Sequence, residues 1–237
     1  MKTMLITGGA RGIGAQLVRH FSAAGFRVMF CYQHSRETAE KLAAETGALA
    51  FRCDVRQEEQ VKALVAEAIQ AFHHLDALIC NAGVAWSGLL EDMPADAYDL
   101  LADTNQRGAF LCVREALPHL REAQGSILLI SSMWGVVGAS CETAYSATKA
   151  ALQCMAKALA KEVGPSGVRV NCIAPGAVDT DMMAAYSEAD KQALAEDTPL
   201  GRLCTAQDIA DAADFLIGPH ASFITGQTLV VDGGFTL

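Results

Sequence analysis

The sequence carries no basic surplus: 18 Lys and Arg stand against 27 Asp and Glu, a net charge of −9. A nucleic-acid binder shows a basic balance or a basic stripe, and neither is present, so no nucleic-acid partner is expected. Nor is there an apolar run near the roughly 20 residues that a helix needs to cross a bilayer. The opening Met1–Gly9 has too short an apolar stretch for a secretory leader and runs straight into glycine. The eight cysteines are scattered singly, without C-x-x-C spacing, and no histidine pair has H-E-x-x-H spacing. No metal is therefore expected. The thiols read as free, small core fillers in a reducing compartment, which places the chain in the cytoplasm. Linkers rich in Pro or Gly, internal repeats and low-complexity tracts are also missing, so one domain is expected over residues 1–237.

What is present is material for one large core. Of the 237 residues 51% are hydrophobic and 19% charged, which excludes disorder. A chain this long buries roughly 70–75% of its unfolded surface without needing cross-links.

Short apolar or β-branched runs at Thr3–Thr7, Arg27–Cys31, Ala48–Cys53, Ala77–Cys80, Ser126–Ser131, Arg169–Ile173 and Thr228–Val231 read as strands. Helical patterns fill the intervals at Gly12–Ala24, Arg36–Thr46, Glu58–Phe72, Ala95–Glu122, Ala144–Val163 and Ala206–Ile217. Ile127-Leu128-Leu129-Ile130 is apolar on both faces, as a strand is when helices cover a parallel sheet from both sides. The expected fold is α/β: a single-domain, Rossmann-like, doubly wound parallel sheet of about seven strands flanked by helices. Val178–Arg202 is the least patterned stretch, and the spacing predicts a mobile substrate lid there, near 178–202.

Thr7-Gly8-Gly9-Ala10-Arg11-Gly12-Ile13-Gly14 lies between the first strand and the first helix. Glycines there let the backbone turn tightly and approach a pyrophosphate, whose charge the helix N-terminus favours. A structural turn would use the same glycines, but the place in the chain argues for a dinucleotide, with Gly8, Arg11, Gly12, Ile13 and Gly14 in contact. After the second strand, Gln33-His34-Ser35-Arg36 offers no Asp or Glu for ribose hydroxyls. Arg11 and Arg36 are the candidates to meet the additional phosphate of NADP, so NADP(H) is the expected cofactor.

Tyr145 and Lys149 lie four apart in a helical pattern and share one face. They follow the fifth strand, whose end carries Ser131-Ser132. With Thr7–Gly14, Asn81-Ala82-Gly83, Asn105, Ser132 and Pro175-Gly176, they occur in the order that resembles the short-chain dehydrogenase/reductase family. The resemblance spans essentially the whole chain, through Ile224-Thr225-Gly226-Gln227 and Val231-Asp232-Gly233-Gly234. Within the family the sequence looks most like bacterial 3-oxoacyl-acyl-carrier-protein reductases. One departure is Cys80, where the family often has a further asparagine.

The resemblance implies a catalytic set of Asn105, Ser132, Tyr145 and Lys149, and hydride transfer to a ketone. A phenol with an unperturbed pKa of about 10 is a poor acid–base group at neutral pH. The Lys149 ammonium and the positive nicotinamide of the oxidised cofactor are expected to lower it. Ser132 would orient the carbonyl oxygen. By resemblance, Lys149 also holds the nicotinamide ribose and Asn105 supports a water relay to it. Matching positions assign Asp54 and Val55 to the adenine, Asn81, Ala82 and Gly83 to the adenine ribose, Thr180 to the carboxamide, and Pro175, Gly176 and Val178 to further cofactor contacts. Thr225–Leu237 helps form homotetramers in this family.

The substrate is expected to be a small, carrier-tethered or protein-tethered ketone. An acyl carrier protein is acidic and docks on basic surface, whereas this chain is acidic and its Gly164-Pro165-Ser166-Gly167 turn lacks an arginine found in some such reductases. Ser131-Ser132-Met133-Trp134-Gly135 and Gly138-Ala139-Ser140-Cys141-Glu142 resemble the subgroup that reduces a 5-aminopentanone modification on bacterial elongation factor P. Glu142 and Trp134 are the substrate candidates; a carboxylate at Glu142 would pair with a primary ammonium or else simply be solvated. Trp86, Met93, Met182, Met183 and Tyr186 line the crevice or fill core. A non-catalytic, dinucleotide-sensing regulator is the reading from another class.

Overall fold

A computed structural model of the chain describes residues 1–183 and 186–237; the Met182 side chain, a crevice candidate, lies outside that description. Seven strands form one parallel sheet: β1 (Thr3–Ile6), β2 (Arg27–Tyr32), β3 (Leu49–Arg52), β4 (Ala77–Cys80), β5 (Ser126–Ile130), β6 (Arg169–Pro175) and β7 (Thr228–Val231). Their order is β3-β2-β1-β4-β5-β6-β7. The α-helices among the described residues are α1 (Gly12–Ala23), α2 (Arg36–Thr46), α3 (Glu58–Phe72), α4 (Ala95–Leu101), α5 (Gly108–Ala123), α6 (Trp134–Val137), α7 (Thr143–Val163), α8 (Glu188–Asp197) and α9 (Ala206–Ile217).

Strand periodicity divides the core in two. Leu5, Met29, Leu78, Ile127, Leu129 and Val170 face one side and pack against α3, α5 and α7. Their neighbours Met4, Ile6, Val28, Phe30, Ile79, Leu128 and Ile130 face the other side and pack against α1, α2 and α9. Fully buried residues such as Phe21 and Phe30 contribute about 1.5–3 kcal/mol each by leaving water. Five cysteines, Cys31, Cys53, Cys80, Cys112 and Cys172, are buried in this interior, while Cys154 is exposed and Cys141 and Cys204 are half-buried.

The strand order reverses between β1 and β4, which opens a crevice beyond the carboxyl ends of those strands. The glycine loop after β1 and Asn81-Ala82-Gly83 after β4 stand on its two sides.

Two expectations need correction. The pattern Ala95–Glu122 is not one helix: a π-helical turn over Ala102–Arg107 separates α4 from α5 and carries the buried Asn105. Apolar spacing on either side stays helical, so a widened turn leaves no trace in the periodicity. The stretch 178–202 is not without structure either. It contains α8, started by a capping box in which Ser187 Oγ accepts the Asp190 amide at 3.2 Å and Asp190 Oδ2 accepts the Ser187 amide at 3.0 Å. No residue of α8 is buried, so the helix presents no apolar stripe to read. A bridge between Val178 and Cys204 closes the base of the stretch.

Candidate active site

The loop after β1 is built around close backbone approach. Gly8 has φ +66°, and a Cβ there would lie 2.8 Å from the Ala82 Cα. A Cβ on Gly14 would run into the Gly8 carbonyl oxygen and stand 2.7 Å from Asn81 Nδ2. Arg11 leads into α1 without a side-chain cap, and the first turn holds no acidic residue. The first-turn amides and the positive helix end are thus left for an anion that only a glycine surface lets in. These donors fit a dinucleotide pyrophosphate, which Gly8, Arg11, Gly12, Ile13 and Gly14 would hold.

Asn81 braces this loop. Its Nδ2 donates to the Thr7 carbonyl at 3.1 Å and the Gly8 carbonyl at 3.0 Å, leaving only Oδ1 for a ligand. Thr7 Oγ1 accepts the Asn81 and Ala82 amides at 3.0 Å each, locking the end of β4 against β1. Asp54 is also engaged. Arg56 Nη2 donates to it at 2.7 Å and Gln33 Nε2 at 2.8 Å, and the guanidinium holds its carboxyl below the usual range. Arg36 is exposed and pairs with Glu40 at 2.7 Å, a solvent-screened surface contact that a ligand phosphate could replace. Gln33, His34, Arg52, Asp54 and Gln60 line a cleft here, and Arg36 and Glu40 line an adjoining one.

On the other side of the crevice, β5 runs into Ser131-Ser132 and is stitched to α7. Ser131 Oγ donates to the Lys149 carbonyl at 2.7 Å, and Gln153 Nε2 donates to Ser131 Oγ at 3.0 Å. The inward stripe of α7, Lys149, Leu152, Ala156, Ala160 and Val163, recurs every three or four residues and seats the helix on the sheet. Lys149 Nζ is buried, donates to the Ile130 carbonyl at 2.9 Å and lies 5.7 Å from the centre of the Tyr145 ring. A Cβ on Gly83 would lie 3.3 Å from that Nζ and 3.2 Å from Asn105 Oδ1, so all three meet at one point. Asn105 is not a local backbone bonder within its own helix. Its Oδ1 accepts the Val84 amide at 2.8 Å, and its Nδ2 donates to the Val84 carbonyl at 2.9 Å and to Thr148 Oγ1 at 3.1 Å. Ser132 Oγ accepts the Trp134 amide at 3.2 Å, and its hydroxyl is near enough to the Tyr145 phenol to draw that phenol's pKa down.

Burial pushes Tyr145 up to about 12; the nearby Ser132 hydroxyl opposes that rise, while Glu142 and Tyr186 add to it. Burial also pulls Lys149 down to about 8. The net effect of the chain's own groups is thus to raise the phenol, with burial the dominant cause. Glu142 occupies the position before α7 without capping it. It is half-buried, which raises its carboxyl, and it has no ion-pair partner among the described residues. Among those residues no cluster of His, Cys, Asp and Glu is placed to hold a metal ion, and no helix is long and apolar enough to cross a membrane.

Residues 8–236 match the family model described as Enoyl-(Acyl carrier protein) reductase. The chain is 36% identical over 239 residues to the 3-oxoacyl-[acyl-carrier-protein] reductase FabG of Staphylococcus aureus, covering 98% of this chain and 97% of that protein. The chain belongs to the short-chain dehydrogenase/reductases. The chain is also 38% identical over 241 residues to the uncharacterized oxidoreductase YmfI of Bacillus subtilis, covering 99% and 98% of the two chains. The crystal structure of a 3-ketoacyl-(acyl-carrier-protein) reductase from Brucella melitensis, complexed with NADH, is similar at a TM-score of 0.95 and 32% identity, covering 100% of this chain and 98% of that one. The chain is thus an NAD(P)-dependent oxidoreductase.

The structure brings Asn105, Ser132, Tyr145 and Lys149 of the reductase together, with Gly83 beside them. It sets Arg36 and Asp54 apart, each already paired. Three neighbours escaped the sequence reading, Thr148, Gln153 and Arg56, and Ser131 enters it only as part of a motif. Gln153 falls four residues after Lys149 on the same helix face, a signal that was available; the others act through contacts distant in sequence or through ordinary surface types.

Proposed function

We propose that this reductase uses NADPH to convert a ketone to a secondary alcohol, with a 3-oxoacyl thioester as substrate. The observation that carries the reading is the meeting of the Ser132 hydroxyl, the Tyr145 phenol and the Lys149 ammonium beside Asn105. The reduced dinucleotide, when bound, supplies the hydride that reaches the carbonyl carbon. Ser132, one lone pair already on the Trp134 amide, turns its proton to the carbonyl oxygen and orients it. Tyr145 gives that oxygen its proton, and in the reverse direction takes it back. Burial keeps the Tyr145 phenol protonated at neutral pH, the form that donates to the carbonyl oxygen. Lys149 would hold the nicotinamide ribose, and Asn105 fixes the Val84 backbone next to it.

At the adenosine end, Val55 and Ala82 would contact the base and its ribose, and Pro175, Gly176, Val178 and Thr180 the nicotinamide. The lack of a carboxylate in Gln33–Arg36 directly after β2, with His34, Arg36 and Arg52 lining the cleft beside Glu40, supports NADPH over NADH. Residues 178–202 would cover the substrate. Exposed Leu229 and Val230 on the edge strand β7, with Phe215 and Phe223 nearby in sequence, support assembly into a homotetramer.

The test is oxidation of NADPH, then NADH, in the presence of an acetoacetyl thioester. Turnover with a preference for NADPH is expected; bound dinucleotide with no turnover of the thioester would overturn the substrate. A second reading, an amine-bearing ketone such as modified elongation factor P, draws on one observation, the Glu142 carboxylate left without a partner beside Tyr145.

A further inference from the structure

The last six residues form a compact turn. Asp232 organises it: Oδ1 accepts the Gly234 amide at 2.9 Å, and Oδ2 accepts the Thr236 amide at 2.9 Å and the Thr236 hydroxyl at 2.6 Å. The turn touches the site at three places. Phe235 meets the Trp134 ring edge-on, with centroids 5.6 Å apart and planes at 80°. The Gly233 carbonyl accepts the Leu200 amide at 3.2 Å, and a Cβ on Gly233 would stand 2.6 Å from Thr198 Cγ2. Asp232 lies against Gly176, where a Cβ would come within 2.8 Å of its Cα.

Trp134 has its own link to the chemistry through the amide that bonds Ser132 Oγ. It opens α6, a four-residue helix that buries none of its residues. The pose of its ring therefore depends on what lies against it, and Phe235 is the aromatic partner it has.

We propose that the C-terminal turn is a strut of the active site, in which Phe235 holds Trp134 and thereby positions the Ser132 hydroxyl, while Gly233 fastens the end of the 178–202 stretch to the same point. Phe235 is a positioning residue; it reaches Ser132 only through Trp134. The catalytic part of this inference rests on ketone reduction through Ser132 and Tyr145.

The experiment places Phe235→Ala and Phe235→Tyr in a Trp86→Phe background, so that Trp134 is the sole tryptophan, and compares each with that background. Three quantities are read: acrylamide quenching of Trp134, dinucleotide affinity by titration, and the kcat and KM for an acetoacetyl thioester. Phe235→Ala is expected to raise the quenching severalfold and lower kcat by about tenfold, with KM and dinucleotide affinity within about twofold. Phe235→Tyr, which keeps the edge-on ring, restores both. Unchanged quenching, a loss shared equally by dinucleotide binding, or a Tyr variant as impaired as the Ala variant would each overturn the strut. Should Phe235→Ala fold poorly, Phe235→Leu keeps most of the volume without the ring and is read in the same way. Quenching and dinucleotide affinity need no ketone, so a parent enzyme that ignores the thioester refutes the substrate reading while the strut is still judged.

Discussion

Lys149 Nζ lies 2.9 Å from the carbonyl oxygen of Ile130, so the buried ammonium of α7 terminates the backbone of the strand that leads into Ser132. The same lysine returns a bond from its own carbonyl, which accepts Ser131 Oγ at 2.7 Å. Strand and helix are thus pinned to each other by both ends of one residue, and the Ser132–Tyr145 spacing depends on it.

Replacing Lys149 with Met removes the charge and leaves the Ile130 carbonyl buried without its partner. At neutral pH the cost of the orphaned carbonyl, about 1–3 kcal/mol, is offset by relief of the buried charge, so the urea midpoint should change little. The pH dependence separates the two. Lys149 sits at about 8 when folded against 10.5 as its ordinary value, so its charge is penalised by folding below about pH 8, and stability should rise between about pH 8 and 10.5. Tyr145, raised from 10.0 to about 12, works in the opposite sense, and its contribution is lost as pH climbs from about 10 to 12. In the Met variant the rise above pH 8 should vanish while the fall above pH 10 stays; a rise that persists would show that another group causes it.

Tyr145→Phe deletes the proton donor without touching the glycine loop. Loss of about 10²–10⁴-fold in kcat is expected, with dinucleotide affinity nearly intact by fluorescence titration. Turnover close to that of the parent would remove Tyr145 from the mechanism.

Asn105→Ala opens three bonds, two to Val84 and one to Thr148. The Val84 amide and carbonyl lose their partners inside the π-helical turn, and a destabilisation of about 1–3 kcal/mol should appear as a lower thermal midpoint. A midpoint unchanged from the parent would mean that the loop after β4 is held by other contacts.

Glu142→Gln discriminates the two substrate readings. If the carboxylate meets an ammonium, the variant should raise KM for an amine-bearing ketone by roughly tenfold or more while leaving a neutral isostere unaffected, as losing a charge-assisted bond implies. Equal effects on both ketones would leave Glu142 as a residue of the α7 entrance only.

The sheet was legible because its strands are short, apolar and separated by amphipathic helices; β4 is found where the Ala77–Cys80 run predicted it, and α3 spans Glu58–Phe72 as its periodicity implies. Tyr145 and Lys149 could be paired from their four-residue spacing together with their place after the fifth strand and Ser131-Ser132. Contacts between segments far apart in the chain could not. Nothing local shows that Asn105 turns to Val84, that Arg56 occupies Asp54, or that Lys149 donates to the Ile130 carbonyl. α8 stayed hidden for a different reason: its one signal, Ser187 three residues before Asp190, is common in loops, and a helix that buries nothing has no period to detect.

The distribution of thiols gives the molecule a built-in reporter of its own integrity. Five of the eight cysteines are walled into the interior, leaving Cys141, Cys154 and Cys204 as the ones a maleimide can reach while the fold is intact. A quick label count therefore reads at most three, and a climb to eight marks chains that have opened globally, without any assay of turnover.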